Sequence, residues 1–332
     1  MSKKNVGTTH GCGRVPIVTI LGHVDHGKTT ILDNIRESNV QSCEAGGITQ
    51  KVSAFTVNVK DDKKITFIDT PGHEAFDLMR SRGGSIADIV LLIVAADDGV
   101  QPQTKESIEI INKSTAKPIV VINKCDLPDV NLEKVKRDIV NNGLQVEGFG
   151  GNIPVIEVSG KTGKNIPELL DLILLVAEVE GLQERENLPE GILGKAYVLE
   201  SIKDKSKGNV STLALIQGHI CEGDLFGYRV GEEYYIEKVK GVIAEDGCDL
   251  CLLDCGCGGK ILGVSNLLEL GTEVFVLTEK DEKLLRSMYK EVSKESLTEE
   301  EAFDDFFGDQ QVSKEKLFNV IVKSSSEGSL EA

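Results

Sequence analysis

No stretch of the sequence approaches the roughly 20 apolar residues that cross a bilayer. The opening segment, MSKKNVGTTHGCGRVP, also lacks the apolar core of a secretory signal. Both absences lead us to expect no membrane partner and a cytoplasmic location. Proline is scarce, at 8 of 332 residues, while hydrophobic residues make up 40% and charged residues 27%. That balance excludes disordered and fibrous classes. Positive charge is in deficit as well: the net charge of −17 makes long-range attraction to nucleic acid or an anionic membrane repulsive, so any RNA contact must be local. No internal repeat is evident, and the length suffices for two compact domains and part of a third.

From Val15 to about Leu182, short apolar runs alternate with segments of helical period, the pattern of βα units around a mostly parallel sheet. VPIVTIL, ITFID, IVLLIVAA, PIVVIN and IPVIEVS read as buried strands. KTTILDNIRES, PQTKESIEIINK and NIPELLDLILLVAEVEG read as helices covering its faces. After about Glu186 the texture changes. GKAYVLESI, STLALIQGHI, EEYYIEKVKGVI and GTEVFVL alternate apolar and polar residues between turn signals, which predicts a small antiparallel β-barrel. We therefore expect a short tail over 1–13, an α/β domain over 14–182, a barrel over 186–280, and an acidic linker with the start of an incomplete third domain over 281–332.

VPIVTIL runs into Gly22-His23-Val24-Asp25-His26-Gly27-Lys28-Thr29-Thr30 and then a helix. This is the strand-loop-helix setting in which G-x-x-x-x-G-K-T binds phosphate. Backbone N–H groups and the helix N-terminus favour an anion there; Lys28 would reach the β and γ phosphates, and the Thr29 hydroxyl would bind Mg²⁺. His23 and His26 read as loop residues, since metal ligands at this place would compete with the phosphate. ITFID ends in Asp69-Thr-Pro-Gly72-His73. Asp69 suits a water-mediated Mg²⁺ contact, and Gly72 offers an N–H to the γ-phosphate. After PIVVIN comes Asn123-Lys124-Cys125-Asp126. The Asp126 carboxylate can accept from both N1–H and the exocyclic amine of guanine, a donor pair adenine lacks, and Ser159-Gly160-Lys161 answers it after the next strand.

In order, GHVDHGKTT, AGGITQ, DTPGHEAF, RGGSIADIVLLIVAADDGVQPQT, NKCD and SGKTG resemble the translation GTPases, and most closely bacterial-type translation initiation factor two. The resemblance covers residues 14 to about 182 and, more weakly, the β-rich stretch that follows. It implies a P-loop GTPase domain followed by a barrel, slow GTP hydrolysis stimulated by the ribosome, and action during subunit joining through the small subunit and the large-subunit RNA. It further implies that Thr49 completes the Mg²⁺ shell, that Ile48 and Val24 form an apolar gate beside the γ-phosphate, and that His73 orients the attacking water. Gly160 stands where the family usually has alanine; the implied contact to the base comes from a backbone N–H, so glycine serves. The family's last two domains are missing apart from a fragment, so initiator tRNA is not an expected partner, and a monomer is expected. The rival readings are an elongation-type factor and a catalytically idle guanine-nucleotide module.

Eight cysteines remain. Cys12, Cys43, Cys125 and Cys221 are scattered and read as free thiols. Cys248, Cys251, Cys255 and Cys257 could supply four thiolates to zinc, but structural sites usually pair two separated knuckles. We expect instead small residues on a barrel strand and its turn.

Overall fold

The computed structural model describes residues 14–36, 53–59, 63–69, 86–182, 188–244 and 247–290. Its first sheet has six strands: β1 (Ile17–Gly22), β2 (Ser53–Asn58), β3 (Lys64–Asp69), β4 (Ile89–Ala95), β5 (Lys117–Asn123) and β6 (Val155–Glu157), in the order β2-β3-β1-β4-β5-β6. Neighbours pair in parallel except β2 with β3. Four helices cover it: α1 (Lys28–Arg36), α2 (Pro102–Lys113), α3 (Leu132–Asn141) and α4 (Ile166–Val179). Strand side chains alternate between faces, and β4 shows the result. Ile89, Leu91 and Ile93 pack with Ile31, Leu32, Leu169 and Ile173 of α1 and α4. Val90, Leu92 and Val94 pack with Ile108, Ile111, Val135 and Ile139 of α2 and α3. Burial on both faces is why this strand reads as a continuous apolar run.

The five strands expected from the sequence are present, and β2 is the addition. Its sequence, SAFTVN, is too short and mixed to announce itself; pairing with β3 and packing of Ala54 and Phe55 decide it. At the entry to β1, the buried Arg14 guanidinium pairs with the buried Asp88 carboxylate, whose other oxygen accepts from the Ile17 N–H at 2.9 Å. This ion pair sets where β1 begins relative to β4.

The second sheet is antiparallel throughout. It contains β7 (Ile192–Asp204), β8 (Gly208–Gly218), β10 (Leu225–Val230), β11 (Glu233–Lys238), β12 (Gly241–Ile243), β13 (Asp249–Leu250), β15 (Gly258–Leu262) and β16 (Glu273–Leu277), in the order β11-β10-β16-β7-β8-β15-β12-β13. A separate pair joins β9 (Ile220–Cys221) to β14 (Leu252–Leu253). Tyr228 near one end of this order and Val242 near the other belong to one core with Val198, Leu213, Ile261 and Val276. A flat sheet could not bring them together, so the sheet curls as a barrel does. EEYYIEKVKGVI, expected as one run, is split between β11 and β12. Val239 N–H turns to Asp224 O and Lys240 N–H to Leu262 O, which redirects the chain between them. A helix over 282–290 lays Leu285 and Tyr289 on Ile192, Phe275 and Leu277, so packing against the barrel continues past residue 280.

The two sheets meet through Ile17, Ala54, Ile68 and Ile86 on one side and Tyr197, Leu199, Ala214, Ile216 and Leu270 on the other. Gly258 lets β15 approach β2 closely: a Cβ there would lie 2.6 Å from the Ala54 Cβ.

Candidate functional site

Parallel strands with alternating crossovers send their carboxyl ends to one edge, where open α/β sheets bind ligands. The loops after β1, β4, β5 and β6 gather there, beside Asp69 at the end of β3. The phosphate loop begins at Gly22, whose φ of +148° and position against β4 both favour glycine: a Cβ would come 2.4 Å from Ile93 O. The loop then turns through left-handed Asp25 (φ 65°) and Gly27 (φ 82°), with His26 N–H bonded to His23 O at 3.4 Å. Lys28 starts α1, and Thr29 and Thr30 stand in its first turn. The Lys28 Nζ donates to Gly22 O at 2.7 Å. Burial holds its pKa below the ordinary value, with the Asp69 charge opposing that shift. Asp69, buried at the end of β3, is therefore close enough to Lys28 for their charges to interact. Val24 at the loop's tip is 41% exposed.

His26 is not the exposed loop residue its neighbours suggest; it is 1% exposed. Its Nδ1 lies 3.2 Å from Ile93 O, which can only accept, so Nδ1 carries the proton and donates. Nε2 lies 3.4 Å from Asp98 Oδ2. Burial lowers the His26 pKa more strongly than the Ile93 and Asp98 contacts raise it, and His23 lowers it further.

Asn123, 2% exposed at the end of β5, joins two loops. Its Nδ2 donates to His26 O at 2.8 Å, and its Oδ1 accepts from Gly160 N–H at 2.9 Å. The phosphate loop and the loop after β6 are thus held by one amide. Asn34 reinforces the second loop by donating to Gly160 O. Because Gly160 N–H is engaged by Asn123, it could serve a base only by sharing that donor. Lys124 adopts a left-handed φ of 63° and bridges to Asp97 at 3.2 Å. Asp126 is exposed and accepts from Ser159 Oγ at 2.6 Å; that hydrogen bond is the main reason its pKa is lowered, so its carboxylate stays charged. Lys161, exposed in the loop that carries Ser159, is close enough for its charge to lower the Asp126 pKa further.

Of the residues singled out from sequence, His23, Val24, Asp25, His26, Gly27, Lys28, Thr29, Thr30, Asp69, Asn123, Lys124, Asp126, Ser159, Gly160 and Lys161 are described and gather at this edge. Ile48, Thr49, Gly72 and His73, together with Cys12 and Cys43, lie outside the described residues. Sequence reasoning missed Asp98, Gln101 and Gln103. No local signal marks them: the loop after β4 lies beside the loop after β1 only because those two strands are neighbours in the sheet.

The four clustered cysteines have different surroundings. Cys248 and Cys251 are exposed, while Cys255 is buried and donates its Sγ–H to Ile216 O at 3.0 Å. Cys257 packs against the barrel core, and burial raises its pKa. Among the described residues, no group of three or more His, Cys, Asp or Glu side chains is placed to hold a metal ion. Among the same residues, no helix is long and apolar enough to cross a membrane.

A glycine-rich loop between β1 and α1, an acidic end to β3 and coupled loops after β5 and β6 define a P-loop nucleotide-binding domain on a mostly parallel sheet. The model of the Elongation factor Tu GTP binding domain matches residues 13–178, and the chain belongs to that family of GTPase domains. It is 41% identical over 323 residues to the translation initiation factor IF-2 of Thermoanaerobacter sp. (strain X514), covering 96% of this chain and 45% of that protein. It is 40% identical over 331 residues to the chloroplastic translation initiation factor IF-2 of Guillardia theta, covering 96% and 43%. The chain thus spans somewhat under half the length of these curated relatives. Among solved structures it is similar to GDP-bound aIF5B from Aeropyrum pernix, with a TM-score of 0.69 and 28% identity over 86% of this chain and 57% of that one.

Proposed function

We propose that this chain is the GTP-binding and GTP-hydrolysing part of a translation initiation factor that acts on the ribosome during subunit joining. The observation that supports this most is the Asn123 bridge: one side chain couples the phosphate loop to the loop that carries Ser159, and Ser159 in turn holds Asp126 charged. A carboxylate kept ionised at that place suits the paired donors of guanine. In this reading residues 14–182 form the nucleotide domain and 186–280 the barrel, with 281–332 leading into a further domain. The protein acts in the cytoplasm as a monomer, on the small subunit and the large-subunit RNA.

The donors available to Mg²⁺ are oxygens, the Thr29 hydroxyl and the Asp69 carboxylate, and hard oxygen ligands suit this ion. Thr49 is proposed as a further ligand. When bound, Mg²⁺ would supply charge neutralisation to the β and γ phosphates. Lys28 contributes a positive charge whose attraction for a phosphate is strengthened by the low-dielectric setting. Backbone N–H groups from Asp25 to Thr30 cradle the phosphates, and Val24 with Ile48 shields the γ-phosphate from water. His73 orients the attacking water, and the resulting loop rearrangement on hydrolysis is the order-disorder switch of this class.

GTP turnover with and without purified bacterial ribosomes tests the proposal, with His73→Ala as the control. Strong stimulation that disappears in His73→Ala while GTP still binds is the expected result. Tight GDP binding with no ribosomal stimulation would overturn the initiation reading in favour of an idle nucleotide-binding module.

A further inference from the structure

The phosphate loop is gripped from a third direction, by the start of α2. Gln103 is the second residue of this helix and lies half-buried; its Oε1 accepts from the Val24 N–H at 3.1 Å. A backbone N–H can only donate, which fixes the amide orientation of Gln103 without ambiguity. The helix start is itself well determined. Pro102 occupies the first turn, and the Thr104 hydroxyl accepts from Gln101 N–H at 3.3 Å. Gln101 Nε2 donates to Asp98 Oδ1 at 2.7 Å and to Asp98 O at 3.2 Å, and Asp98 Oδ2 faces the His26 ring. The segment 98–104 therefore meets the loop at two points, the Val24 amide and the His26 imidazole.

Resting on the reading of this site as a nucleotide site, we propose that Gln103 is a positioning residue that sets nucleotide residence time. A peptide plane has one N–H, so the Val24 amide that points outward to Gln103 cannot also point into the loop. Fixing that plane fixes the start of the next one. The chain then enters the left-handed conformation at Asp25, which is unfavourable for a residue with a Cβ and persists only where its surroundings hold it. Gln103 supplies that hold, so the N–H groups after Val24 are presented inward without reorganisation when a phosphate arrives. Pre-paid order of this kind strengthens binding by lowering its entropic cost. It also places the Val24 side chain at the exposed tip of the loop.

The test compares Gln103→Met with Gln103→Glu in the full chain, using a fluorescent GDP analogue and excess unlabelled GDP in Mg²⁺. Methionine keeps the length of glutamine and removes the acceptor, whereas glutamate keeps an acceptor oxygen. Losing one such hydrogen bond should speed GDP dissociation in Gln103→Met about three- to tenfold, while Gln103→Glu should stay nearer the parent. The preference for GDP over xanthosine diphosphate should be unchanged, and the melting temperature of Gln103→Met without nucleotide should fall by no more than the few degrees that one hydrogen bond costs. A parent-like dissociation rate in Gln103→Met would overturn the proposal. So would faster dissociation in both variants together with a melting temperature lowered by more than those few degrees, since that marks a structural role alone. Failure of the unsubstituted chain to bind GDP would instead remove the nucleotide reading on which the proposal rests.

Discussion

Replacing Asn123 by alanine should loosen two loops at once. The side chain is 2% exposed and makes one hydrogen bond to the His26 carbonyl and one from the Gly160 amide. Truncation leaves both backbone groups without this partner, at a cost of about 1–3 kcal/mol each, or about 2–6 kcal/mol together. Water entering the gap would keep the loss toward the lower end. For a domain of this size each kcal/mol lowers the melting temperature by roughly 2–4 °C, so a drop of at least about 4 °C is expected. If both loops hold the nucleotide, a loss near 2 kcal/mol corresponds to GDP affinity weakened about thirtyfold. Asn123→Asp is the informative control, because it keeps an acceptor for Gly160 while setting a carboxylate oxygen against the His26 carbonyl. Thermal unfolding and GDP titration should rank the parent as strongest and both variants well below it. A melting temperature within about 1 °C of the parent for Asn123→Ala would refute the reasoning, since the bridge would then contribute nothing to stability.

Arg14→Leu should destabilise the fold by about 3–5 kcal/mol by leaving the buried Asp88 carboxylate without its cation; Arg14→Leu with Asp88→Asn should recover part of this in denaturant unfolding, and no recovery would argue against the ion pair. The His26 pKa lies below its ordinary value of 6.5 because burial disfavours the cation, so the unfolded chain binds the extra proton first. Stability is then fully present above about 6.5 and is lost as pH falls from there through the folded-state pKa; His26→Asn should flatten that slope between pH 7.5 and 5.5, and an unchanged slope would assign it to another group. Asp126→Asn should weaken GDP binding and favour xanthine nucleotides, whose base keeps the N1–H donor but carries a carbonyl oxygen, able to accept from the new amide, in place of the exocyclic amine. Unaltered GDP affinity would exclude Asp126 from base recognition.

The chemistry of the site was legible because it depends on local sequence: a strand, a glycine-rich turn and a helix are contiguous in GHVDHGKTT, and NKCD follows its strand directly. Strands β1, β3, β4 and β5 of the first sheet were legible because burial on both faces leaves almost no choice but apolar side chains. Three features were not. β2 became a strand through its pairing with β3, the β11–β12 run was broken by hydrogen bonds to Asp224 and Leu262, and 282–290 found its partner in β16. Asn123 could be named from the sequence, but its bridge between residues 26 and 160 could not. The same holds for Gln103 and Asp98, whose contacts with Val24 and His26 span more than seventy residues of chain. Residue types that bind phosphate and guanine are set by chemistry and appear wherever the chain writes them. Which side chains hold those residues in place is set by strand order, and strand order exists only once the sheet has formed.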